Sequence, residues 1–370
     1  MNIVITGAEG FIGRNLRQRL SELGQVKISP ITRHSSAQDL ARAIGDADFV
    51  FHLAGVNRPQ DPSEFAAGNV GFTQLVCDAM AATGRPIPLV LASSTQASLD
   101  NAYGRSKREA EERVYAYGDR HGAPVWVFRL TNVFGKWCRP NYNSAVATFC
   151  HNIARGLPIQ VNDPAAPLRL VYVDDVVQAF TALLSEPRPD AGLLEAGPVY
   201  DTTVGEVAGL VQAFAASRGT LMTERVGTGL VRALYSTYVS YLPTESFAYE
   251  VPRHGDARGV FVEMLKTPDC GQFSYFTAHP GVTRGEHYHH SKTEKFLVIR
   301  GKAHFGFRHI LTNEMHEIVV EGGEGRIVET VPGWTHNITN IGSDELIVML
   351  WANEVFDRAR PDTITMKVKA

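Results

Sequence analysis

Two groups of side chains in this sequence have the types and spacing to do chemistry: Tyr103 with Lys107 four positions on, and His287, His289, Glu294 and His336 towards the other end. On a helix, Tyr103 and Lys107 lie one turn apart on one face, where an ammonium favours the phenolate and lowers the phenol pKa. A tyrosine tuned in this way can protonate a carbonyl oxygen as hydride reaches the carbon. A surface tyrosine and lysine share this spacing often by chance, so what precedes them matters. Ser93, Ser94 and Thr95 end the preceding strand-like run and offer hydroxyls to the same oxygen, with Ser94 preferred over Thr95. In the second group, alternate residues of a strand face one way, so His287 and His289 project together while His290 faces away. Glu294 would follow on the next strand and His336 come from a distant one. Three imidazoles and a carboxylate suit a divalent ion, Zn²⁺ first among several transition metals. Together the two groups suggest two consecutive reactions on one substrate: proton movement beside a ketone and hydride delivery to it.

The elements that must hold these groups fall into two textures. From residue 1 to about 184, apolar runs at 3–6, 26–32, 49–53, 88–92 and 125–130 alternate with helical stretches at 12–23, 69–82 and 106–117, the rhythm of βαβ units around a buried parallel sheet. Residues 186–197 read as a surface connection and 202–218 as a further helix. From about residue 244, short runs at 261–265, 272–278, 295–299, 303–308, 326–331 and 345–351 are parted by turn residues, which predicts an all-β domain. We therefore expect an α/β Rossmann-type domain over 1–243 and a β-barrel domain over 244–370, since 370 residues exceed what one core usually supports. The net charge of −3, with acids and bases interspersed and no basic block, points away from nucleic acid and from an anionic membrane, and towards a small-molecule partner. Cys77, Cys138, Cys150 and Cys270 lack metal or redox spacing, and no leader or long apolar run is seen; reduced thiols and a cytoplasmic protein are the expectation.

Gly7, Gly10 and Gly13 follow the first strand and lead into a helix, so backbone can approach a pyrophosphate at the helix's positive end. The spacing resembles the fingerprint of extended short-chain dehydrogenase/reductases, as does His52-Leu53-Ala54-Gly55. That resemblance implies cofactor contacts from Gly7, Gly10, Phe11, Ile12, Gly13, Leu53, Ala54 and Gly55, and the Ser-Tyr-Lys catalytic set from Ser94, Tyr103 and Lys107, the last two also touching cofactor. The second strand ends at Thr32-Arg33-His34-Ser35 with no acid for a ribose 2′-hydroxyl, so Arg33 is placed for a 2′-phosphate and NADPH is expected. Arg14 and His34 are alternatives for that contact. The run Arg129-Leu130-Thr131-Asn132-Val133-Phe134-Gly135 resembles the loop by which extended reductases meet a nucleotide sugar, which implies Asn132 as a diphosphate contact. Arg169 could assist it or face water, and Asp174 or Asp175 reads as a helix N-cap.

The later motif, Gly281-x5-His287-x-His289-x4-Glu294-x6-Gly301 with Pro332, His336 and Asn340, resembles the two-part signature of cupins. Arg284-Gly285-Glu286-His287-Tyr288, with Asp256-Ala257-Arg258-Gly259, resembles nucleotide-sugar 3,5-epimerases, in which a histidine removes a proton beside a 4-keto group. His287 thus reads as metal ligand on one pattern and as base on the other. The two halves joined in this order resemble the CapF-type family of bifunctional capsular-polysaccharide enzymes. The runs that carry this are His52-Leu53-Ala54-Gly55-Val56-Asn57-Arg58-Pro59, Phe134-Gly135-Lys136-Trp137 continuing to Ser144, and Tyr235-Ser236-Thr237-Tyr238. The resemblance implies C3 epimerisation and then NADPH-dependent C4 reduction of UDP-2-acetamido-2,6-dideoxy-4-hexulose, giving UDP-N-acetyl-6-deoxy-L-talosamine, in a homodimer. Alternatives are a fusion acting on dTDP-4-keto-6-deoxyhexoses, a non-catalytic NADPH and sugar sensor, and a metal that only braces the β domain.

Overall fold

The computed structural model describes residues 1–61, 63–185, 191–256, 259–262, 265, 271–354 and 359–369, with backbone alone at 253–256, 259–262 and 272–274. Two compact units result: Met1–Val133 with Arg169–Asp201, and Phe134–Leu168 with Thr202–Ala370.

In the first unit, six parallel strands run in the order Lys27–Ile31, Asn2–Thr6, Phe49–His52, Leu89–Ser94, Val125–Leu130 and Gly192–Leu194. The central strands are apolar on both faces because helices cover both: Ile3, Ile5, Phe49, Val50, Phe51 and Val127 have no exposed surface. One side packs Val4, Val50, Leu91, Val76, Met80 and Val114 with Leu40 and Ile44. The last two belong to the helix Ala37–Gly45, absent from the sequence reading and started by a capping box between Ser36 and Asp39. The strand order reverses direction between 2–6 and 49–52, and such a switch opens a crevice at the carboxyl ends of the strands. The glycine turn and Leu53-Ala54-Gly55 both sit there.

The expected helix at 69–82 is a π-helical turn over Ala66–Gly71 followed by an α-helix over Phe72–Ala81. The helix Ala102–His121 begins earlier and ends later than the 106–117 expected; Asn101 caps it by accepting from the Gly104 N–H at 2.7 Å, and Gly122 closes it with φ 62°. Its buried stripe runs Gly104, Lys107, Glu111, Val114 and Gly118, so Lys107 and Glu111 point inward because they fall on the helical period.

The second unit contains two five-stranded sheets of antiparallel strands. One orders Ala248–Glu250, Arg326–Glu329, Glu294–Arg300, Leu346–Ala352 and Gln272–Ala278; the other orders Met315–Glu321, Lys302–His309, Trp334–Asn340, Thr283–Tyr288 and Ile364–Thr365. Val298, Phe305, Phe307, Ile327, Val348 and Trp351 are among the buried apolar residues of these strands. The helices Ala145–Ile153, Val204–Thr220 and Gly229–Ser240 fall in this unit too, so packing divides the chain differently from the change in texture at residue 244. Tyr235 of the last helix fixes that grouping: its ring is buried against Phe214 and its hydroxyl lies 3.4 Å from Glu329 of a strand. The expected strand at 261–265 is seen as Gly259–Val262, residues 263 and 264 lying outside the described residues, as do Cys270 and part of the 186–197 connection. Cys77, Cys138 and Cys150 are free thiols.

Candidate functional site

Gly7 has φ 68°, and a Cβ there would lie 2.7 Å from the Ala54 nitrogen, so only glycine lets the first turn meet the third strand's end. A Cβ at Gly13 would overlap the Gly7 carbonyl oxygen, which brings the helix Phe11–Glu22 hard against the turn. His52 holds the two strand ends together. Thr73 Oγ donates to the Asn69 carbonyl at 2.6 Å, so it accepts from His52 Nε2 at 2.8 Å. His52 Nδ1 therefore accepts from Thr6 Oγ at 2.6 Å, and that oxygen accepts the Ala54 N–H at 3.2 Å. Burial pushes the His52 imidazole down to about 3, so it stays neutral and structural.

Beside this turn lies a cavity of about 790 Å³ lined by Gly7, Gly10, Leu53, Ala54 and Gly55 at one end and by Arg14, Arg33, Ser35, Ser36 and Leu40 at the other. Phe11, Ile12 and Gly13 are not among its lining residues; they open the helix beneath it. Arg33 and Arg14 are exposed at its rim, and His34 accepts from Arg33 Nε at 3.3 Å. Close backbone approach, a free helix N-terminus and two guanidiniums fit a dinucleotide bearing an additional phosphate.

Ser94, at the end of its strand, is hydrogen-bonded to the Tyr103 hydroxyl. The structure thus brings together Ser94, Tyr103 and Lys107 within one strand and one helix. The lowering of the phenol pKa expected from Lys107 is not found: burial raises Tyr103 above its ordinary value, and Ser94 alone pulls the other way. Lys107 explains why. Its ammonium donates to the Ala92 carbonyl at 3.1 Å, and burial lowers it to about 8 despite Glu111. A Cβ at Gly55 would lie 3.1 Å from Lys107 Nζ, so the Lys107 head reaches the same backbone that lines the cavity.

Two supporting residues escape sequence reading. Glu111 receives the Ser93 hydroxyl and pairs with Arg129 at 2.7 Å, tying the helix to two strands. Asn69 accepts from the Val56 N–H at 2.7 Å and donates to the Val56 carbonyl at 3.0 Å and to Ser106 at 2.9 Å. Both are contacts over long sequence separations with no local pattern, the π-helical turn at Asn69 included.

Asn132 and Arg169 are neighbours, the Asn132 amide donating to the Arg169 carbonyl at 3.1 Å. The Arg169 guanidinium faces water and pairs with Asp201 at 3.1 Å, an exposed bridge worth only about 0–1 kcal/mol that an anionic ligand can displace. Asp174 and Asp175 are not N-caps: Tyr172 takes that position, and the two acids occupy the first turn, where the helix dipole favours them.

In the β unit, His287, His289, Glu294 and His336 offer one ligand atom each, all within 4.8 Å of one another. His287 and His336 are direct partners across two antiparallel strands, with ring centroids 4.7 Å apart. The route to His289 differs from simple alternation: a bulge at Glu286, whose φ is 62°, shifts the register, the strand ends at Tyr288, and His289 turns inward just beyond it. His290 packs by Tyr288, away from the cluster. Burial, then the neighbouring His336 and His289, holds the His287 imidazole down at about 3. Burial alone would raise Glu294, but His289, His336 and Lys292 hold its carboxyl well below the usual range. Lys292 Nζ lies 2.8 Å from Glu294 Oε1.

This donor set fits a divalent cation. Glu294 Oε2 lies 3.2 Å from His289 Nε2 and 3.5 Å from His336 Nε2, matching the roughly 3.3–3.6 Å edge of a tetrahedron with bonds of about 2.0–2.2 Å. His336 Nδ1, the ring nitrogen away from that edge, is buried with no hydrogen-bond partner. Ala257 and Arg258 of the epimerase-like segment lie outside the described residues.

Comparison with known proteins places these features. Residues 3–194 match the model of the NAD dependent epimerase/dehydratase family and residues 254–364 that of the polysaccharide biosynthesis C-terminal domain. The chain belongs to the NAD dependent epimerase/dehydratase family, in the CapF-type branch that carries this second domain. It is 58% identical over 368 residues, 100% of this chain and 99% of the relative, to UDP-2-acetamido-2,6-beta-L-arabino-hexul-4-ose reductase of Pseudomonas aeruginosa. It is similar to the crystal structure of the capsular polysaccharide assembling protein CapF of Staphylococcus aureus, with TM-score 0.68 and 41% identity over 100% of both chains. The UDP-glucose 4-epimerase of Thermus thermophilus, in complex with NAD, shares the fold alone, at TM-score 0.52 and 21% identity over 58% of this chain and 84% of that one. Among the described residues no helix is long and apolar enough to cross a membrane.

Proposed function

We propose that this chain is a bifunctional nucleotide-sugar enzyme for surface-polysaccharide synthesis, epimerising UDP-2-acetamido-2,6-dideoxy-4-hexulose at C3 and then reducing it at C4 to UDP-N-acetyl-6-deoxy-L-talosamine. The observation that carries it is full-length identity of 58% to a reductase named for a UDP-linked hexul-4-ose, joined to a Ser94, Tyr103 and Lys107 grouping beside a dinucleotide-sized crevice.

NADPH, the cofactor this crevice fits, supplies the reducing electrons when bound. The chain's own part is to orient and to protonate. Tyr103, kept neutral by burial, gives its proton to the C4 oxygen, and Ser94 fixes the direction of that hydroxyl. Lys107, anchored on Ala92 and reaching Gly55, holds the cofactor's side of the site. Asn132 and Arg169 contact the diphosphate of the sugar nucleotide. Arg33 discriminates for the 2′-phosphate: Arg33→Ala should weaken NADPH binding about tenfold, near 1.4 kcal/mol, and leave NADH unchanged in fluorescence titration. Equal loss for both cofactors would assign the 2′-phosphate contact elsewhere, to Arg14 or His34.

The cupin-type domain, taken as 244–370, carries the epimerising site. A ketone acidifies its neighbouring C–H, and His287, on a strand of this domain, offers an imidazole nitrogen for that proton. A divalent ion, Zn²⁺ on the donor set, supplies positive charge to the site when held by His289, Glu294 and His336, with His287 as fourth ligand or as base. Lys292 adds a fixed charge beside Glu294. The functional unit is a homodimer in the cytoplasm. Turnover of UDP-linked against dTDP-linked 4-keto sugars with NADPH tests the substrate: a preference for the dTDP sugar would replace this reading by the dTDP-4-keto-6-deoxyhexose one, and tight NADPH binding without any turnover by a sensor.

A further inference from the structure

We propose that Asp362, near the far end of the chain, is the positioning residue of the histidine and glutamate cluster. It orders the loop carrying His289 and Lys292 and decides which nitrogen of His289 faces an ion. This rests on the metal reading given above.

Asp362 lies 73 positions from His289, yet it organises the whole 289–292 loop. Its carboxylate accepts three successive backbone N–H groups, His290 at 2.8 Å and Ser291 and Lys292 at 2.7 Å each, and the Ser291 hydroxyl at 3.0 Å. A carboxylate capping consecutive N–H groups fixes a turn that would otherwise leave them unpaired in a buried setting. Its own carbonyl oxygen accepts from His289 Nδ1. A carbonyl cannot donate, so Nδ1 carries a proton, and Nε2 is the ring nitrogen turned towards Glu294 and His336. This is the outer partnership that orients a metal-binding imidazole.

The arrangement reaches beyond the loop. Arg232, on the helix Gly229–Ser240, donates to Ser291 Oγ and to Glu354 at 2.7 Å and stands 3.9 Å from Asp362 Oδ2. Ser236 of the same helix donates to the Ser291 carbonyl, which gives the Tyr235-Ser236-Thr237-Tyr238 run a physical task. Three residues beyond Asp362, Thr365 pairs with His287 across the strand edge. One short terminal segment thus touches two of the four cluster residues.

The test uses the full chain, with Zn²⁺ affinity read by competition against a chromophoric chelator. Asp362→Ala should weaken Zn²⁺ binding about 10- to 100-fold. Asp362→Asn, which keeps the volume and one acceptor, should fall between it and the wild type, and serves if the alanine variant does not fold. Wild-type ¹⁵N shifts of the Zn²⁺-loaded protein should show His289 protonated at Nδ1. A lower melting temperature with unchanged Zn²⁺ affinity in both variants would overturn the proposal, as would a bare Nδ1 in the wild type. Failure of the wild type to bind Zn²⁺ at all would instead overturn the metal reading on which it stands.

Discussion

Tyr103→Phe is expected to lower NADPH oxidation by the UDP-4-keto sugar about 10²- to 10⁴-fold while leaving solvent deuterium exchange at C3 in place. The phenylalanine keeps the ring's packing against Phe65 and removes only the hydroxyl that Ser94 orients. The ionisable groups nearby are otherwise engaged: Lys107 is turned to the Ala92 carbonyl, and Glu111 is occupied by Ser93 and Arg129. The check is a stopped assay at 340 nm beside an NMR exchange assay on the same sample. Loss of both activities together would argue against separable sites.

His287→Ala should have the converse effect and comparable size, stopping C3 exchange while NADPH binding stays unchanged. The expectation holds whether His287 acts as base or as ligand, because either role removes the proton-transfer site. Zinc content distinguishes the two: a base-only role leaves Zn²⁺ bound through His289, Glu294 and His336, and a ligand role lowers affinity. Exchange at the wild-type rate would remove His287 from the mechanism. Chelation adds a third comparison, since a purely bracing ion would cost stability on removal without a specific loss of exchange.

Much of this was legible because the relevant residues obey local periods. Tyr103 and Lys107 lie one turn apart on one helix, and the glycine turn sits between a strand and a helix in the order a crevice requires. The four cluster side chains converge as their spacing predicts, although by a bulge at Glu286 and not by strict alternation. What was not legible depends on distance in sequence. Asn69, Glu111 and Asp362 act through partners that no local pattern announces. The direction of the Tyr103 shift was misread for a related reason: sequence shows the nearby ammonium but not the burial that outweighs it. The strands at 315–321 and 334–340 lack the continuous apolar runs of the others: the first alternates between a buried and a wet face, and the second buries polar residues, Thr335, His336 and Asn340 among them.

The most direct measurement is a single incubation of the protein with the UDP-4-keto sugar and NADPH in D₂O, read by NMR. The proposed sequence of steps predicts a product carrying deuterium at C3 and protium at C4, with one NADPH consumed per product. Protium retained at C3 in a reduced product, or deuterium at C3 with the ketone intact and NADPH unspent, would contradict the claim that one carbonyl is handled at two sites in turn.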